Sequence, residues 1–169
     1  MNVLKIFSLF VVSSGALCAE SVGFDEISKL VDKFDDEKAA KIIECDLSGK
    51  LNIENFFGVC DVLIKCENLK SLDLSNNGIG SFSKDNLKAI CAYLPKFKKL
   101  EKMNLNQNSL HLFGIEGLQI FTEALNKSPS VKIVRTEGSN FNDEAKLMMD
   151  DAWFEEDSKD VWVEKLCCF

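Results

Sequence analysis

Histidine and arginine occur once each in the 169 residues, and there are two prolines and nine glycines. Each shortage excludes something. Nucleophilic triads and most metal sites draw on histidine, and His111 has no cysteine or carboxylate at ligand spacing. The motifs G-x-S-x-G and H-E-x-x-H are absent, as is a phosphate-cradling glycine loop. Adjacent carboxylates such as Asp35 and Asp36 diverge on a helix and read as solvated faces. No cofactor and no enzymatic activity are therefore expected. A net charge of -7 lacks the clustered cations that bind polyphosphates or anionic lipid, which argues against nucleic-acid and membrane-surface partners. Lysine almost completely replaces arginine and asparagine is abundant, a bias that fits an AT-rich coding genome.

What is present begins with MNVLKIFSLFVVSSGALCAE. Lys5, a short apolar run from Ile6 to Val12 and then small residues give the form of a secretory leader, too short to span a bilayer at about 20 residues. Residues 1–19 are predicted to be a signal peptide, and the mature protein to be secreted, extracellular or periplasmic, with no membrane association once the leader is removed.

An internal repeat organises the rest. Residues 69–79 read LKSLDLSNNGI, residues 100–110 read LEKMNLNQNSL, and residues 131–141 read VKIVRTEGSNF, each 31 residues after the last. An earlier copy, AKIIECDLS, is placed at residues 40–48. Between the copies, apolar residues recur at i, i+3 and i+7 in one register: Phe56, Val59, Leu63; Leu87, Ile90, Leu94; Leu118, Phe121, Leu125. Ile27, Leu30 and Phe34 continue that register ahead of the first copy.

The segments resemble L-x-x-L-x-L-x-x-N, the signature of leucine-rich repeat proteins. Their length and the L-x-x-x-G-x-x-x-L series at Leu110, Gly114 and Leu118 resemble the ribonuclease-inhibitor-like type. The resemblance implies an α/β solenoid, with short parallel strands on a concave face and helices on a convex one. The predicted domains are a helical N-terminal cap at 20–39, about four strands in repeats at 40–141, and an acidic, aromatic C-terminal cap at 142–169. Trp153, Phe154 and Trp162 would cover the last repeat or anchor a partner. Asn77 and Asn108 would satisfy backbone groups of the turns.

The resemblance also implies a binding surface. The third, fifth and seventh positions of each copy should face solvent: Ile42, Glu44, Asp46; Ser71, Asp73, Ser75; Lys102, Asn104, Asn106; Ile133, Arg135, Glu137. Glu44, Asp46, Asp73, Ser75, Lys102, Asn104, Asn106 and Arg135 are the candidate binding residues. With strands about 4.8 Å apart, Glu44 should stand beside Asp73, and a protein with a basic patch would relieve their repulsion. Neutralising Glu44, Asp46 and Asp73 together should leave the fold intact. Leu105→Asp should unfold the array, and Asn104→Asp should be nearly silent.

Cys45, Cys60 and Cys91 take inward positions and are expected to be buried thiols. The tail pair Cys167 and Cys168 is available for disulfide-linked association with another chain. The leading reading is a secreted, non-enzymatic protein-binding module, of the kind a parasite or symbiont directs at a host. The alternative is a structural surface protein assembled through Cys167 and Cys168.

Overall fold

A computed structural model describes residues 19–147. The leader, the aromatic residues Trp153, Phe154 and Trp162, and the Cys167–Cys168 pair lie outside the described residues. The fold is a leucine-rich repeat solenoid: five parallel strands in sequence order, with a helical layer behind them. The strands are β1 (Glu20–Gly23), β2 (Ile42–Asp46), β3 (Ser71–Asp73), β4 (Lys102–Asn104) and β5 (Ile133–Arg135). The helices are α1 (Phe24–Asp32), α2 (Asp36–Lys41), α3 (Ile53–Leu63), α4 (Lys84–Cys91) and α5 (Gly114–Asn126). Among the described residues no helix is long and apolar enough to cross a membrane.

The interval 20–39 is not purely a helical cap. Glu20–Gly23 forms a strand that pairs in parallel with β2, so the sheet has five strands where the repeat pattern indicates about four. No L-x-x-L-x-L pattern marks β1, because it has to align only Val22 with Cys45 on the covered side. α1 then buries Ile27 and Leu30, while Phe34, placed in the same register, is half-buried between α1 and α2.

The first copy is two residues out of the register read from sequence. Cys45 pairs with Leu72 and Asp46 with Asp73, so Ile42, not Ala40, is the counterpart of Leu69. Ile42 is accordingly buried, where the repeat pattern places it facing solvent. Both registers turn Cys45 inward, but only the observed one also buries Leu47, which supplies the driving force. The first unit, from Ile42 to Leu69, thus spans 27 residues. The turns confirm this spacing: Gly49, Asn76, Gln107 and Gly138 all have positive φ, at one equivalent position after each of β2 to β5. A strand leaving through the left-handed region reverses toward the helical layer within a few residues, and glycine or a short amide tolerates that best.

Between the layers lies one continuous core containing Leu47, Phe56, Leu63, Leu72, Leu87, Met103, Leu105, Leu118, Phe121 and Val134. All nine residues of the i, i+3, i+7 helical series in the three full repeats are buried. Asn52, with Asn55 in a capping box, starts α3, and Ser83 starts α4, each accepting backbone N–H groups that the helix leaves unpaired. Cys45, Cys60, Cys66 and Cys91 are buried free thiols. Burial pushes Cys45, Cys60 and Cys91 up to about 12 and Cys66 to about 11, so all four stay protonated and inert near neutral pH.

Successive turns approach closely at Gly80. Its N–H donates to the Asn108 carbonyl at 2.9 Å, and an added Cβ would overlap the Ser109 carbonyl. Gly80→Ala is expected to cost about 2–3 kcal/mol, since backbone rather than a side chain must move. Gly114→Ala, which meets no atom within 4 Å but sits at φ +62°, should cost about 1 kcal/mol through backbone strain alone. Urea unfolding of the two variants checks the order.

Candidate functional site

The open face of the sheet is built by alternation along each strand and by alignment across strands. Side chains two apart share a face, and parallel strands lie about 4.8 Å from one another, so outward residues form rows perpendicular to the chain. The first row is Ser21, Glu44, Ser71, Lys102 and Ile133. The second is Gly23, Asp46, Asp73, Asn104 and Arg135. Ser48, Ser75, Asn106 and Glu137 continue the face in the turns.

Asp46, not Glu44, is the lateral neighbour of Asp73; Glu44 stands beside Ser71. This follows from the 27-residue first unit. Charge is graded along the second row from two carboxylates through an amide to Arg135, with Glu44 and Lys102 in parallel positions on the first. Glu44, Asp46, Lys102 and Arg135 are exposed. Asp73, Asn104 and Asn106 are half-buried, and Ser75 is 7% exposed.

Hydrogen bonds explain these differences. The Asp46 carboxylate accepts from the Ser48 N–H at 2.9 Å, Asp73 from the Ser75 N–H at 2.8 Å, and the Asn104 side-chain oxygen from the Asn106 N–H at 3.0 Å. Each is a side chain bonding the backbone two residues on, which fixes the chain as it leaves the strand. Ser75 Oγ turns in to donate to Asp73 Oδ1 at 2.7 Å and lies 2.9 Å from Ser48 Oγ, so Ser75 is part of the scaffold's turn and presents little to solvent. Asn104 Nδ2 donates to Asp73 Oδ2 at 2.8 Å, and Asn106 Oδ1 accepts from the Glu137 N–H at 2.8 Å. Asn104→Asp therefore cannot be silent: it removes that donor and sets a carboxylate against Asp73.

Behind this face runs a ladder of buried amides. Asn77 Nδ2 donates to the Leu47 and Leu74 carbonyls, and its oxygen accepts from the Leu51 N–H at 2.8 Å. Asn108 Nδ2 donates to Leu74 and Leu105, and its oxygen accepts from the N–H groups of Asn77 and Ile79. In the last unit the equivalent residue is Ser139, which is fully buried, and its Oγ has no hydrogen-bond partner among the described residues. His111 closes the turn there, with Nδ1 2.8 Å from the Ser139 carbonyl oxygen. Among the described residues no group of three His, Cys, Asp or Glu side chains is placed to hold a metal ion.

The geometry defines a short leucine-rich repeat array with one polar, electrically graded face. No family profile matches the chain, and no curated protein matches it significantly. Solved structures similar to it include two leucine-rich repeat proteins. The leucine-rich repeat-containing protein LegL7 from Legionella pneumophila is 19% identical over 79% of this chain and 52% of its own, with a TM-score of 0.49. TLR13, solved in complex with ssRNA13, is 16% identical over 64% of this chain and 14% of its own, with a TM-score of 0.39. The chain thus spans about half of the first and a small part of the second.

Proposed function

We propose that the protein is a secreted, non-enzymatic binding module that captures a protein bearing a basic patch through the open face of its sheet, at the β2–β3 end. One observation carries this reading. Asn104 makes the same turn-fixing bond as Asp46 and Asp73 without a charge, so the turn does not require aspartate at either place. At Asp46 the negative charge is surplus to the fold, and side by side the Asp46 and Asp73 carboxylates repel each other. Glu44 and Asp46 are also exposed with no cation within 4 Å among the described residues. A cationic partner relieves that repulsion and is steered toward it. RNA, the ligand named for TLR13, would meet three carboxylates here, with Lys102 and Arg135 as the only cations on the two strand rows.

Because Asp73 accepts from both Ser75 and Asn104, the clean test leaves it in place and uses Glu44→Gln/Asp46→Asn. Wild type and variant, immobilised at equal density, are exposed to the same host-cell extract, and retained proteins are quantified by mass spectrometry. Basic proteins retained by wild type should fall about tenfold with the variant at low salt, and the difference should shrink as ionic strength rises. Equal retention at low salt would remove the β2–β3 end as the binding site.

A further inference from the structure

The fold divides charge along the strand direction. The loops that leave β3, β4 and β5, residues 74–83, 105–113 and 136–142, hold one Glu and no Lys or Arg. The segments that lead into the same strands, residues 64–70, 92–102 and 127–132, hold eight Lys against two Glu. All eight are exposed. Backbone hydrogen bonds set the three segments side by side: the Lys70 carbonyl accepts from the Lys102 N–H at 2.9 Å, and the Glu101 carbonyl from the Lys132 N–H at 2.9 Å. The lysines therefore crowd one edge of the solenoid, a cluster that the net charge of -7 conceals. Stability accounts for part of it. Lys65, Lys96 and Lys127 stand 31 residues apart at or just past the ends of helical segments, where the helix dipole favours a cation, and Lys65 and Lys96 also lie over the Phe34 and Tyr93 rings. Glu67 pairs with Lys98, Glu101 with Lys132 at 3.7 Å, and Glu123 of α5 with Lys127 at 3.9 Å. Lys70, Lys99 and Lys102 remain. None of these has a carboxylate within 4 Å among the described residues, and the bond from Lys99 Nζ to Asn68 Oδ1 at 2.8 Å needs no charge. Like charges on adjacent segments repel, so folding gives no reason to gather them.

What the edge lacks narrows its partner. The exposed large apolar side chains among the described residues are Val31, Leu112 and Leu147, all outside the three segments, so the edge has nothing to insert into a bilayer. Phe97 is buried and the Tyr93 ring is occupied by Lys96 and Phe57, which leaves no aromatic face there for a nucleobase. A polyanion with neither bases nor an apolar phase fits: its charges meet the lysines directly, and its counterions are released as it binds. We infer that the edge leading into β3, β4 and β5 binds a sulfated polysaccharide, with Lys70, Lys99 and Lys102 taking its sulfates. This site adds to the acidic end of the open face and does not rest on it.

Titration of a fluorescent heparin oligosaccharide with the full chain tests this, each variant being checked for folding by circular dichroism. Wild type should bind with a Kd below about 10 μM at low salt. Lys70→Gln/Lys99→Gln/Lys102→Gln should weaken binding at least about tenfold and flatten the dependence of log Kd on log salt. Lys50→Gln/Lys84→Gln/Lys88→Gln makes the same change in net charge at exposed lysines outside the three segments, and should stay within about twofold of wild type. Desulfated heparin should bind at least about tenfold more weakly than heparin. Failure of wild type to bind at low salt overturns the proposal, as do equal losses in the two triple variants or equal binding of desulfated heparin. Tighter binding of polyuridine RNA or of phosphatidylserine vesicles through the same three lysines would also overturn it, by assigning the edge to a nucleic acid or a membrane. Glu44→Gln/Asp46→Asn should bind the oligosaccharide at least as well as wild type, so the failure of either site leaves the other standing.

Discussion

Leu105→Asp is expected to leave no cooperative unfolding transition at room temperature. Leu105 is 3% exposed and stands where β4 turns toward the helical layer, in contact with a core that every repeat shares. The substitution loses about 3 kcal/mol of packing and buries a carboxylate with no partner, which costs several kcal/mol more. The sum exceeds about 5 kcal/mol, most of the stability of a domain this size. Asn104→Asp, one residue away, should cost only about 1–2 kcal/mol, through the lost bond to Asp73 and the new like-charge contact. Circular dichroism melts of the pair check the contrast, and equal melting temperatures would contradict the alternation on β4.

Asn108→Ala should be the most damaging polar substitution, at about 3–5 kcal/mol, with the urea midpoint lowered to match. The side chain is fully buried, and its removal strands the N–H groups of Asn77 and Ile79 and the Leu105 carbonyl at once. Each buried polar group left without a partner costs about 1–3 kcal/mol. The loss should spread to the Asn77 turn, because Asn77 and Asn108 share the Leu74 carbonyl. A loss below about 1 kcal/mol would mean that the turns do not depend on the ladder.

These residues also show how far the sequence can be read. The inward leucines, the helical series and the two ladder asparagines are all legible, because one residue type repeated at two independent spacings leaves little choice of register. The first copy is not, since Ala40, Ile43 and Cys45 imitate the pattern almost as well as Ile42, Cys45 and Leu47; only the burial of Leu47 separates them. β1 carries no signature, as an end strand of four residues needs only one inward side chain. On the open face, the residues that look outward by position are not equally available. Ser75 and Asp73 are drawn into turn hydrogen bonds by neighbours two residues away and one strand away, a contact that depends on the cross-strand alignment.

The charged surface of the open face rests on the 27-residue first unit, which sets Asp46 beside Asp73. Cysteine cross-linking measures this directly. Adjacent parallel strands hold their Cα atoms about 4.8 Å apart, within disulfide range, whereas a partner displaced by two residues lies about 8 Å away and outside it. Asp46→Cys/Asp73→Cys should therefore form an intramolecular disulfide on mild oxidation, identified by peptide mass spectrometry, while Glu44→Cys/Asp73→Cys should not. Ready cross-linking of the Glu44/Asp73 pair and none of the Asp46/Asp73 pair would contradict the register and, with it, the charged surface built on it.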